Sequence, residues 1–116
     1  MTIKEKNELL EKLRTLHAQA ERCEIKCIEN GRDEDAALIS ALCEQLRASS
    51  DALLRGIYRE WIGGTEALAR LLDHTNEEVD ACMRERGSDP GWPRRVEKIA
   101  GYIEEIVGAA GSIVLV

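Results

Sequence analysis

The chain has 116 residues, 44% of them hydrophobic and 33% charged, which fits one folded domain rather than a disordered chain. Its 16 basic side chains are outnumbered by 22 acidic ones, and a net charge of −6 opposes non-specific attraction to nucleic-acid phosphates or anionic lipid. Phenylalanine is absent and aromatics make up only 3%, so the core has to be aliphatic and little is left over for base stacking.

The first element is signalled by Leu9, Leu13, Leu16, Ala20, Cys23 and Cys27, apolar at steps of three and four, which predicts a helix from about Lys4 to Glu29. Asn30 and Gly31 tolerate the left-handed backbone that stops a helix. A second stripe, Ile39, Cys43, Leu46, Ser50, Leu53 and Ile57, predicts a helix starting after Asp33 or Asp35 and reaching about Ile62, where Gly63 and Gly64 end it. With so short a loop around Arg32, residues 1–62 should form an antiparallel helical hairpin that sets Cys23 level with Cys43. Glu8 to Lys12 and Asp51 to Arg55 have the spacing of exposed ion pairs along a helix.

Residues 63–87 read as a short two-helix corner. Thr65 caps a helix carrying Leu68, Leu71 and Leu72, and Thr75-Asn76-Glu77-Glu78 has the spacing of a capping box ahead of Val79, Cys82 and Met83. Gly87 to Pro93 is the clearest loop, with two prolines and two glycines. Pro93 then suits the first turn of a last helix, residues 92–110, with Val96, Ile99, Ala100, Ile103, Ile106 and Val107 on one face. The apolar tail, residues 111–116, either packs on the bundle or docks on another chain; left exposed it would aggregate. The expected fold is all-α, a single helical bundle made of a long hairpin, a corner and a C-terminal helix.

Leu68-Ala69, Leu72, Val79 and Cys82 fall where helix-turn-helix proteins place their buried residues, so residues 65–87 resemble that superfamily. The resemblance implies a dimeric DNA-binding regulator, with Arg84, Arg86, Arg94 and Arg95 touching backbone. Asp73 and His74 replace the glycine and aliphatic residue usual in the turn, and Glu77, Glu78 and Asp80 would meet phosphate with like charge. Cys23 and Cys27, four apart, partly resemble the twin CxxxC hairpins of mitochondrial import chaperones, but Arg47 stands where Cys43 would need its partner. The four cysteines, Cys82 included, are expected as free core thiols, and no metal or cofactor is expected. Glu8 with Glu11 and Glu21 with Glu24 approach paired-carboxylate spacing, yet they read as solvated faces, and no nucleophile elbow or phosphate loop is present.

The leading expectation is therefore a non-enzymatic interaction module of a bacterial or phage adaptor or inhibitor type. It would hold another protein, including a nucleic-acid-binding one, through an acidic helical surface. Glu77, Glu78 and Asp80 are its expected contacts, with Trp61 and Trp92 as aromatic anchors beside Tyr58 and Ile62. Too much stripe on the hairpin for one short helix to cover predicts a homodimer. With no basic or apolar leader after Met1, the expected location is cytoplasmic. No resemblance extends over the whole chain.

Overall fold

The computed structural model describes Met1–Val116. Its helices are α1 (Ile3–Glu29), α2 (Asp33–Arg55), α3 (Thr65–Arg84) and α4 (Trp92–Gly111), and two short strands, β1 (Trp61–Ile62) and β2 (Val114–Leu115), pair antiparallel. The protein is an all-α helical bundle, as the two apolar stripes predict. None of its helices is long and apolar enough to cross a membrane.

Local chemistry explains most of the boundaries. Thr2 and Glu5 form a reciprocal capping box at the start of α1, each backbone N–H donating to the other's side chain at 3.1 Å. Those bonds hold the Glu5 carboxyl below the usual carboxylate range. Gly31, at φ 72°, turns the chain after α1, and Asp33, Glu34 and Asp35 then open α2, where negative charge complements the helix dipole. Gly63 and Gly64 supply two more left-handed positions immediately before α3.

α1 packs beside α2 and α3, and α4 closes the ring by packing beside α2 and α3. Asp73 meets Lys12 at 2.8 Å, and the carbonyls at the end of α3 meet Lys26, so α3 runs parallel to α1. Residues 56–64 therefore cross one end of the bundle diagonally. Leu13, Leu16, Ala20, Cys23 and Cys27 of α1 and Ile39, Leu46 and Leu53 of α2 are buried together with Leu68, Leu72, Val79, Ile99, Ile103 and Ile106. The hairpin stripe is thus covered within one chain, which removes the exposed surface on which the expected homodimer rested.

Three expectations need correction. First, α2 ends at Arg55 rather than near Ile62. The chain breaks at Gly56, and the Leu115 side chain of the folded-back tail packs against that glycine. Glu60 and Val116 exchange backbone hydrogen bonds at 3.2 and 2.9 Å, and Ile113 is buried, so the tail packs on its own bundle.

Second, the corner at residues 63–87 does not exist: α3 is one unbroken helix of 20 residues. Leu68, Leu72, Thr75, Val79 and Cys82 lie along a single buried stripe, and burying it whole outweighs a cap at Thr75, worth only about 1 kcal/mol. Asp73 and His74 are ordinary exposed helix residues. Lys12, expected to pair with Glu8, instead reaches Asp73.

Third, Thr75 is fully buried and its hydroxyl has no hydrogen-bond partner. Replacing it with the similarly shaped valine is expected to raise the unfolding free energy by about 1 kcal/mol, because a desolvated, unpaired hydroxyl is lost. Urea denaturation of Thr75→Val checks this, and a lower midpoint would mean the hydroxyl is bonded after all.

Candidate functional site

Because α3 is one unbroken helix, Glu66, Asp73, Glu77 and Asp80 follow one another along its exposed side. Asp73 is tied to Lys12, and Asp80 lies 3.5 Å from Arg84. Glu77 is exposed, Glu78 is half-buried, and neither makes an ion pair. The three carboxylates singled out from the sequence therefore stay together on one helix, with Glu77 and Asp80 open to solvent. Lys12 and Arg84 thus pair with two carboxylates of the row, and Glu66 and Glu77 make no ion pair.

The two tryptophans do not serve as exposed anchors. Trp92 is 0% exposed and Trp61 6%, each plugging one end of the bundle. Trp61 Nε1 donates to the Gly56 carbonyl at 2.8 Å, and Lys6 lies 5.6 Å from its ring while donating to the carbonyls of Ile57 and Arg59. Trp92 Nε1 donates to the Cys82 carbonyl at 3.3 Å, and Lys26 lies 5.3 Å from that ring while donating to the carbonyls of Cys82, Met83 and Glu85. Each lysine thus satisfies chain-end carbonyls and faces an aromatic ring at once. Lys6 stands one step before the apolar stripe of α1, a position that hinted at burial. Lys26 lies beside the stripe, and its partner helix was not legible.

What faces out near Trp61 is different. Across the β1–β2 ribbon Trp61 turns inward, while Ile62, Val114 and Val116 turn outward and Tyr58 stands 87% exposed. Half of the aromatic cluster at residues 58–62 therefore belongs to the core and half to the surface.

The thiols also group in an unexpected way. All four are free and buried, as expected. Cys43, however, lies beside Glu21 and Glu24 rather than joining Cys23, and burial pushes its thiol up to about 11. Cys23 instead lies near Cys27 and Cys82. Interaction with those two thiols, and then burial, raises the Cys23 thiol, and the same interaction shifts the Cys27 and Cys82 thiols down. No group of three His, Cys, Asp or Glu side chains is arranged to hold a metal ion. His17 pairs with Glu21 at 3.2 Å, and His74 stacks edge-on against Tyr102 at 5.0 Å. The surface depressions are open ones, such as that of about 250 Å³ between α1 and α2 lined by His17, Glu21, Glu24, Cys43 and Arg47.

Compared with known proteins, the chain matches no family model, and neither a curated protein nor a solved structure shows detectable similarity to it.

Proposed function

We propose that the protein is a non-enzymatic interaction module, an adaptor or inhibitor that binds a basic partner protein through the outer face of α3. One observation carries this reading: α3 presents Glu77 and Asp80 in the open and Glu78 at their edge, with no cation of its own chain on Glu77 or Glu78. Glu77 and Glu78, unpaired and one turn or less from Asp80 on the same helix, are ready to meet cationic side chains, and such complementarity speeds encounter and selects the partner. The net charge of −6 adds long-range attraction of the same sign. The duplex-reading alternative needs a turn near residue 73, and α3 has none.

The test is retention of partners from nuclease-treated lysate by wild type and by the Glu77→Lys, Glu78→Lys, Asp80→Lys triple variant. A protein held by wild type and lost at least about tenfold by the variant, equivalent to about 1.4 kcal/mol, supports the assignment. Circular dichroism has to show the variant as helical as wild type. Equal retention by both proteins, or bound material that disappears with nuclease, overturns it.

A further inference from the structure

The end of the bundle that Trp61 plugs carries the most apolar part of the surface. Seven of the ten large hydrophobic residues that stand exposed lie there, where α1 begins, α2 ends and the tail folds back. Ile62 faces Val114 across the β1–β2 ribbon and Val116 follows two residues on, so all three occupy its outer side, while Trp61 and Leu115 pack their side against the core. Ile62, Val114 and Val116 are 48, 56 and 63% exposed. With Tyr58 they leave about 450 Å² open to water, and Ile3 with Leu54 brings this end to about 600 Å², the top of the range for the largest apolar patch on a monomer.

We propose that this end is a self-association surface, on which a second copy of the chain packs its own ribbon, outer side to outer side, about a two-fold axis. Area and charge both select that occupant. A standard interface buries about 800 Å² per partner, so the apolar end and a narrow polar rim together supply what a dimer of modest affinity needs. The rim is balanced: Lys4, Arg55 and Arg59 stand exposed against Glu5, Glu60 and Glu66, and none of the six is in an ion pair within its own chain. The acidic excess behind the net charge of −6 therefore lies elsewhere, and two copies meet here without the repulsion they would feel along α3. A two-fold axis brings the acids of each rim to the bases of the other.

The surface is also held in place before any partner arrives. Lys6 ties down the carbonyls of Ile57 and Arg59, and Glu60 exchanges two backbone hydrogen bonds with Val116, so little ordering is left for association to impose. A two-stranded ribbon is marginal by itself, and a second ribbon laid on its bare side shields both from water. This surface is separate from the covered hairpin stripe and from Glu77, Glu78 and Asp80. A dimer built on it presents two copies of the acidic contacts, and the inference stands whether or not α3 holds a basic partner.

The experiment is sedimentation equilibrium of the purified full chain over a dilution series reaching about 100 μM. The expected result is a monomer–dimer equilibrium with Kd in about the micromolar range, weakened at least about tenfold by Ile62→Lys combined with Val114→Lys. Val116→Lys alone is the second variant should paired lysines across the strands unfold the ribbon, and circular dichroism checks that each variant is as helical as wild type. Ile25→Lys with Ile28→Lys, the same change at exposed residues near the opposite end, should dimerise as wild type does. The Glu77→Lys, Glu78→Lys, Asp80→Lys variant should dimerise at least as tightly, which separates this surface from the partner-binding one. A monomer at every concentration, a dimer indifferent to the ribbon variants, or a dimer lost in the Ile25 and Ile28 variant overturns the proposal. So does a monomer that co-sediments with neutral phosphatidylcholine vesicles, which would assign the apolar end to lipid.

Discussion

Trp92→Ala should cost about 3–5 kcal/mol of unfolding free energy, the largest loss expected from any single truncation in this chain. The ring is 0% exposed, lies under Lys26, and donates Nε1 to the Cys82 carbonyl, so alanine removes apolar volume, a ring facing a cation and a hydrogen bond together. A domain of this size has a total stability of about 5–15 kcal/mol, so a loss of that order brings the bundle near its threshold. Urea unfolding followed by circular dichroism measures it. Trp92→Phe keeps most of the volume and should lose far less. A cost for the alanine variant below about 1 kcal/mol would show that the ring is not a core residue.

Lys26→Met isolates the polar half of the same plug and should cost about 2–3 kcal/mol, in the range for hydrogen bonds to a charged group. Methionine retains the stem that covers the Trp92 ring but removes the donor to the carbonyls of Cys82, Met83 and Glu85. Those carbonyls close α3, where a cation also offsets the helix dipole. The loss should appear first as faster amide exchange in the last turn of α3, ahead of the rest of the bundle. Uniform exchange throughout, or a cost below about 0.5 kcal/mol, would mean that water replaces the ammonium without penalty. Lys6→Met addresses the other end, where the carbonyls of Ile57 and Arg59 lose their donor, and should loosen the β1–β2 ribbon instead.

The two ends make the same physical point. Each buries a tryptophan that a linear reading places at the surface, one ring just before a glycine pair and the other in a loop rich in proline and glycine, and each covers it with a lysine, Lys6 buried and Lys26 half-buried. Neither partner set is local: Lys6 reaches residues 57 and 59, and Lys26 reaches residues 82 to 85. The acidic contacts proposed for α3 were legible because charge and helical spacing are local properties. Their continuity was not, since the Thr75-Asn76-Glu77-Glu78 pattern mimics a helix start that the packing of α3 against α1 and α4 overrides.

Periodicity and chain-stopping residues in the primary structure sufficed for the helical class, the antiparallel pairing of α1 with α2, the stop at Asn30 and Gly31, and the start of α4 at Trp92 and Pro93. These follow from backbone sterics and from an apolar stripe repeating within a few residues, so no distant contact is needed. Tertiary structure alone decided that the tail folds back to set Leu115 against Gly56, that residues 65–84 form one helix, and that Cys82 lies near Cys23 while Cys43 lies beside Glu21 and Glu24. For α3 a capping preference of about 1 kcal/mol at Thr75 is outweighed by burial of whole side chains against helices far away in the chain, and the other two depend on partners that no local pattern names.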